Sequence, residues 1–393
     1  MDRQYTHVAE NSERNLLILQ LVAVEYHEMD LLEYLYYLGM SAKRYVAVRK
    51  RKRLPCRVIS IGNITVGGTG KTPAAIAVAE EAKKRGFLPV ILTRGYKGTA
   101  KGPCFVSRGE GPLLSAARAG DEPYLMAERL RGVPIVKGPD RFEAGMFALR
   151  AWGMGRGARS KELQKMSERQ GAGSIDKNAD QRNTMPHAPC PMLFILDDGF
   201  QHWQLYRDRD IVLIDAGNPF GNRKLLPSGR LREPLTGLQR ADVIAVTKSG
   251  REDSGLVAEI RKFNQHAPIF FPEHRAVSIT LLSGEKKPPA WLHNRKVFCF
   301  CGLADPVSFR NTVSAAGAEV SGMKMYPDHH SYAQKDIAEI AQECSGSGAE
   351  WAITTGKDMA KIRDLDLPGN ILIIEIAFTA GQPFFDSAFA DDV

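Results

Sequence analysis

Short apolar runs recur through the middle of the chain, each closed by a polar or glycine-rich break. Val58–Ile61 is followed by Pro89–Thr93, Val133–Val136, Leu193–Leu196, Ile211–Asp215 and Val243–Thr247. Each is too short for a helix and apolar at successive rather than alternate positions, as in strands buried on both faces of a parallel sheet. Stretches of helical period fall between several of them. This order predicts an α/β fold built on a doubly wound, mostly parallel sheet. From about residue 271 a second, smaller α/β unit is expected, with strands Val297–Cys301, Trp351–Thr355 and Ile371–Ile376. The stretch opened by Pro272 and broken by Gly284 and by Lys286 to Pro289 is expected to be turn or linker.

Two stretches break this rhythm. Near the N-terminus, Leu16 to Val24 is apolar apart from Gln20, and Leu31, Leu32, Leu35, Tyr36 and Leu38 recur at near-helical spacing. Eight Lys and Arg follow from Lys43 to Arg57, and no acidic residue lies between Glu33 and Glu80. An apolar, aromatic helix followed by a cationic cluster suits the surface of an anionic bilayer. A helix packed on its own domain with a solvated basic end has the same periodicity. The second stretch, 153–191, holds only Leu163 and Ile175 as branched aliphatics and no aromatic residue. It cannot bury enough apolar area to offset its ordering entropy, so a disordered insertion is expected. The division read from these patterns is an amphipathic, basic membrane-associating region (1–57), a core (58–270) carrying the insertion, and a smaller α/β domain (271–393).

Charge narrows the partner. The formal net charge is +8 and the pI about 9.1, which favours phosphate, nucleic acid or an acidic membrane surface. No aromatic-rich RNA signature or zinc-finger spacing is present, so nucleic acid is not expected. The six cysteines form no Cys-x-x-Cys pair, which indicates neither a zinc ribbon nor a disulfide framework. No uninterrupted apolar run reaches the roughly 18 residues of a spanning helix. No small-residue cleavage site follows an apolar core near the N-terminus, and the cytoplasmic side is the expectation.

The chemistry centres on residues 57–73. The run Val58–Ile61 meets a glycine-rich turn, and Lys71 and Thr72 open an alanine-rich helical segment. Strand, loop and helix in that order make a phosphate-binding loop. Gly67, Gly68, Thr69 and Gly70 curl the backbone so that its N–H groups face phosphate oxygens, and the helix N-terminus adds its dipole. Lys71 is placed for the β/γ-phosphates and the Thr72 hydroxyl for Mg²⁺. The general motif has Gly where this chain has Thr65. Asp197 and Asp198, at the end of a buried strand, suit a Mg²⁺-holding role, although an Asp-Gly turn explains them too. Asp121, in Gly120 to Pro123, is either a general base for an acceptor hydroxyl or part of a helix cap. Arg94 follows a strand and suits a phosphate clamp or plain solvation. His329 and His330 sit beside Asp328 in the second unit. Thr247 and Lys248 begin like a guanine-reading loop, but Gly250 stands where such a loop needs Asp.

Together, the stretches Asn63–Pro73, Arg94–Tyr96, Gly120–Pro123, Leu196–His202, Leu226–Pro234 and Pro327–His330 resemble the tetraacyldisaccharide 4′-kinase family of lipid A biosynthesis. The resemblance runs in order over about residues 30 to 365, outside the insertion, and Thr65 is what that family carries. It implies a P-loop NTPase-like fold, with ATP and Mg²⁺ as cofactors. The implied reaction phosphorylates the 4′-hydroxyl of an acylated disaccharide 1-phosphate lipid, giving lipid IVA. The implied location is peripheral, at the cytoplasmic face of the bacterial inner membrane. It also implies that Lys71 and Thr72 serve phosphates and metal, that Asp197 and Asp198 lie at the metal, and that Asp121 is the base in a dyad with His329. Gly356 departs from the acidic residue of the family's usual Thr-Glu-Lys-Asp.

Overall fold

The computed structural model describes residues 29–152, 191–249 and 252–390. The expectations for Leu16 to Val24 and for a disordered insertion lie outside the described residues, Pro191 excepted. The first part of the chain runs α1 (Leu31–Arg49), β1 (Arg57–Gly62), α2 (Lys71–Lys84), β2 (Leu88–Thr93), β3 (Cys104–Ser107), α3 (Ala116–Ala119), α4 (Asp121–Arg129), β4 (Ile135–Lys137), α5 (Arg141–Ala151), β5 (Met192–Asp197), β6 (Arg209–Asp215), β7 (Val243–Thr247), α6 (Ser254–Arg261) and β8 (Ile269–Phe270). Its eight strands order as β3-β4-β2-β5-β1-β6-β7-β8. All neighbours are parallel except β3 against β4.

The central strands are buried along nearly their whole length, which is why they read as continuous apolar runs. One face packs under α2 and α4 through Ala75, Val78, Met126 and Ala127. The other packs under α5 through Ala144, Ala148 and Leu149. The register sets Ile61 of β1 beside Asp197 of β5. Gly67–Thr72, Arg94, Asp197 and Lys248 therefore all lie at or just beyond the carboxyl ends of the sheet's strands, where ligands sit in doubly wound sheets.

The remainder runs β9 (Glu273–Leu281), β10 (Lys286–Lys287), β11 (Lys296–Cys301), α7 (Pro306–Ala315), β12 (Glu319–Met325), α8 (Gln334–Gly346), β13 (Trp351–Thr355), α9 (Gly356–Ile362), β14 (Ile371–Thr379) and α10 (Gln382–Phe389). The second sheet orders as β10-β9-β14-β13-β11-β12. The stretch after Pro272, expected as turn or linker, instead forms β9 and β10. β9 pairs antiparallel with β14 over Glu273 to Leu281. Its partly exposed, charged opening (Glu273, Arg275) hid the strand. α10 turns back onto the first sheet, where Phe384 and Phe389 join the core under α2.

α1 resolves the ambiguity of its periodicity by having two faces. Asp30 caps its N-terminus through the Glu33 N–H (2.9 Å), and Glu33 itself is buried, accepting from the Leu225 N–H (2.7 Å). Tyr36 donates to the Arg232 carbonyl (2.9 Å). Away from this packed side, Leu31 (72% exposed), Leu32 (58%), Leu35 (55%) and Leu38 (45%) form an open apolar stripe. Among the described residues no helix is long and apolar enough to cross a membrane. Cys104, Cys299, Cys301 and Cys344 are free thiols.

Candidate active site

A cavity of about 1420 Å³ opens between the two sheets, lined by the glycine loop, the ends of β2 and β5, α1, and residues 303–309, 328–329 and 355–357. The loop needs glycine twice for stated reasons. Gly67 and Gly70 have φ of 124° and 87°, closed to most side chains. A Cβ on Gly70 would also lie 2.3 Å from His274 Nε2. Thr65 sits in a β-bridge with Leu231, so extended backbone there has no need of the general motif's glycine. Lys71 opens α2 with its Nζ 3.5 Å from the Gly67 carbonyl and 3.7 Å from Asp198 Oδ1. Burial pushes its ammonium below the ordinary range, with Asp198 opposing. Thr72 lines the same wall.

The two carboxylates at the end of β5 have different surroundings. Asp197 is buried and accepts from Thr93 Oγ1 (3.1 Å). Burial, then the charges of Asp198 and Glu122, push its carboxyl up to about 6. Asp198, at φ 53°, receives Arg232 Nη1 at 2.7 and 2.9 Å. Burial works against its charge, but Lys71 and Arg232 outweigh it and hold the carboxyl below the usual range. Among the described residues, no three His, Cys, Asp or Glu side chains converge as a metal cage. An all-oxygen pair with a hydroxyl nearby nevertheless fits Mg²⁺, which takes one or two protein carboxylates and fills its shell with phosphate and water.

Across the cavity, Asp121 begins α4 and meets His329, whose Nδ1 is 2.8 Å from Asp121 Oδ2. Burial favours the neutral acid, but the His329 hydrogen bond and the nearby Lys361 prevail and hold the Asp121 carboxyl below its ordinary range. His329 Nε2 lies 3.7 Å from both Glu122 and Asp328. His330, its neighbour in sequence, turns away to Asp336 (3.1 Å) and stacks on Tyr326. Arg94 stands exposed on the rim. The fold thus places the loop, the carboxylate pair, Arg94 and the Asp121–His329 pair around one cavity, although more than 200 residues separate Asp121 from His329 along the chain.

The LpxK family model, described as Tetraacyldisaccharide-1-P 4′-kinase, matches residues 28–392. The chain belongs to the tetraacyldisaccharide 4′-kinase family. It is 37% identical over 347 residues to the tetraacyldisaccharide 4′-kinase of Syntrophus aciditrophicus (strain SB), covering 84% of this chain and 83% of the relative. It is 34% identical over 358 residues to that of Halothermothrix orenii, covering 86% and 83%. A crystal structure of LpxK from Aquifex aeolicus, an "apo" form in complex with ATP, aligns with a TM-score of 0.63 at 28% identity. That alignment covers 91% of this chain and 97% of the other.

This tetraacyldisaccharide 4′-kinase also carries residues that sequence reading did not place in the site. Arg141 is buried beneath Asp197, its Nη2 3.5 Å from the Asp197 carbonyl. Burial pushes its guanidinium down to about 10, against the pull of Asp197 and Asp198. The Pro139 to Arg141 turn after a strand was the available signal. Arg232 proves to be the partner of Asp198, whereas Glu233 is buried structure, bound to Arg240 (2.7 Å) and Gln201 (2.8 Å). Lys357 pairs with Glu122 (3.0 Å), and Lys361 lies 3.2 Å from Asp121. At Gly356 a Cβ would point at Leu125 (3.0 Å) and Arg129 (3.4 Å). Here Arg129 finds its carboxylate 3.7 Å away in Glu375 instead.

Proposed function

We propose that this kinase transfers the γ-phosphoryl group of ATP to the 4′-hydroxyl of a tetraacylated glucosamine disaccharide 1-phosphate, giving lipid IVA. The observation that carries the reading is the Asp121–His329 contact at 2.8 Å, facing a glycine loop with Lys71 across one cavity. The loop N–H groups and Lys71 bind the phosphates. Asp121, oriented by His329, takes the proton of the 4′-hydroxyl as its oxygen attacks the γ-phosphorus and ADP leaves. Arg94 and Arg141 add positive charge where the transferring group carries negative charge. Thr72, Asp197 and Asp198 are the residues that would hold Mg²⁺, Asp198 once released from Arg232. Bound there, the ion would supply positive charge against the charge developing in the transfer. Positioning and charge stabilisation supply most of the acceleration in such transfers.

The core (58–270) and the smaller domain (271–393) enclose this cavity, with α10 packed back onto the core. The apolar stripe of α1 and the basic block Lys43–Arg57 suit peripheral docking on the cytoplasmic face of the inner membrane of a Gram-negative bacterium. There the acyl chains could stay in lipid while the disaccharide enters the cavity, which α1 also lines through Leu35, Met40 and Lys43. The test is transfer of label from γ-labelled ATP to tetraacyldisaccharide 1-phosphate in detergent micelles, with Lys71→Ala alongside. Labelled lipid that disappears in the variant is expected. ATP hydrolysis without labelled lipid would overturn the assignment.

A further inference from the structure

We infer that Lys361 is a positioning residue for the base, clamping one oxygen of Asp121 together with His329 and leaving the other to the acceptor hydroxyl. The inference rests on the reading of Asp121 as that base. Both groups reach the same atom: His329 Nδ1 lies 2.8 Å and Lys361 Nζ 3.2 Å from Asp121 Oδ2. Oδ1 accepts no hydrogen bond among the described residues. A carboxylate held at one oxygen by the His329 hydrogen bond and the Lys361 ion pair, both from the smaller domain, presents its second oxygen in a fixed direction, as proton abstraction requires.

Lys361 is itself held. Its side chain is 11% exposed, and its Nζ lies 3.9 Å from Oδ1 of Asp358, one turn earlier on α9. Asp358 is fully buried. It accepts from the Gly302 N–H (3.1 Å), Tyr332 OH (3.2 Å) and Thr355 Oγ1 (2.9 Å). An anchored carboxylate thus holds a nearly buried ammonium against Asp121. The remaining charged groups around Asp121 are already matched. Glu122 on its own helix takes Lys357 (3.0 Å), which also reaches Asp328 (3.1 Å). Tyr96 lays its ring edge-on to His329 at 5.8 Å. Lys361 is therefore the ammonium directed at the base itself. In the transfer, the hydroxyl O–H bond breaks and an Asp121 Oδ1–H bond forms, while Lys361 keeps its protons throughout.

The test is the pH dependence of kcat/KM for Lys361→Met, Lys361→Arg and Asp121→Asn, with the wild type. Removing a cation beside a carboxylate favours protonation, so the acid limb for Lys361→Met moves to higher pH. The expected loss is roughly tenfold at the acid end and smaller on the plateau. Lys361→Arg keeps the limb in place. Should Lys361→Met fail to fold, Lys361→Gln gives the same shift while retaining a donor. A uniform loss at every pH, with superimposable normalised profiles, would mean that Lys361 only braces the domain contact, and would overturn the inference. If Asp121→Asn is inactive and the Lys361→Met limb stays put, this inference alone fails. Wild-type turnover by Asp121→Asn would remove the base reading and this inference together.

Discussion

Asp197 and Asp198 are adjacent in sequence and opposite in electrostatics. Asp198 has Arg232 and Lys71 beside it, whereas Asp197 is buried with two like charges nearby. Its carboxyl rises from 3.8 to about 6. Between those values the folded protein binds more protons than the unfolded chain. Stability from this group is therefore full at low pH and is lost as pH rises through about 6. Asp197→Asn is expected to melt above the wild type at pH 7 in buffer with EDTA and no nucleotide. The difference should shrink toward pH 5, and an unchanged gap would exclude the carboxylate charge as its cause. On the proposed role of Asp197 at Mg²⁺, the same substitution should abolish kinase activity. That these acids close a strand beside the cavity was legible from their place after an apolar run. Which one carries its charge unopposed was not, because Arg232 and Lys71 arrive from other segments.

At the scale of elements, the phosphate loop was legible because its requirements are local: a strand, glycines at positive φ and a helix start. What presses on it was not. His274, from the strand that resembled a linker, packs against Gly70 with both ring nitrogens buried and, among the described residues, without a hydrogen-bond partner. Burial and then Lys248 push its imidazole down to about 4, so it is neutral at pH 7. Gly70→Ala is expected to cost about 2 kcal/mol or more, from φ strain and collision with that ring. Adding His274→Ala should recover part of the loss in urea midpoint; recovery of nothing would assign the whole effect to backbone strain. α1 yields a second prediction at this scale. Replacing Leu31, Leu32, Leu35 and Leu38 by Ser should leave thermal stability within about 1 kcal/mol of wild type, since exposed positions rarely move it further. Co-sedimentation with anionic vesicles should fall severalfold. Retained vesicle binding would shift the docking role to the basic block. The edge strand β12 escaped sequence reading because half-exposed edges carry charged and small residues, as Glu319, Gly322 and Lys324 show.

For the whole molecule, the decisive feature is the seam between α4 of the core and α9 with β14 of the smaller domain. Beside the Asp121 contacts, Arg363 Nη1 donates to Tyr124 OH (2.8 Å) and its Nη2 pairs with Glu128 (2.6 Å). Arg129 Nη1 donates to the Ile376 carbonyl (3.0 Å). Its guanidinium is largely buried, so truncation would take this donor from the Ile376 carbonyl and leave Glu375 with only Ser278 (2.9 Å) and Lys286 (3.9 Å). Arg129→Met is expected to destabilise the protein by about 1–3 kcal/mol in denaturant titration. It should also lower kcat while ATP affinity stays close to wild type, because the loop lies wholly in the core. An equal loss in ATP binding would show that the seam also shapes the nucleotide pocket.

The sequence by itself determined the α/β class, the central strands, the phosphate loop and the family. Each of these rests on short-range pattern: buried strands demand continuous apolar runs, and phosphate binding demands glycines, Lys71 and Thr72 in a fixed local order. The tertiary structure alone decided that Lys361 joins Asp121 and His329, that Arg232 takes Asp198 and that Glu375 serves Arg129. Those pairings link segments far apart in the chain, and their partners are chosen by how two sheets pack, which no local periodicity encodes.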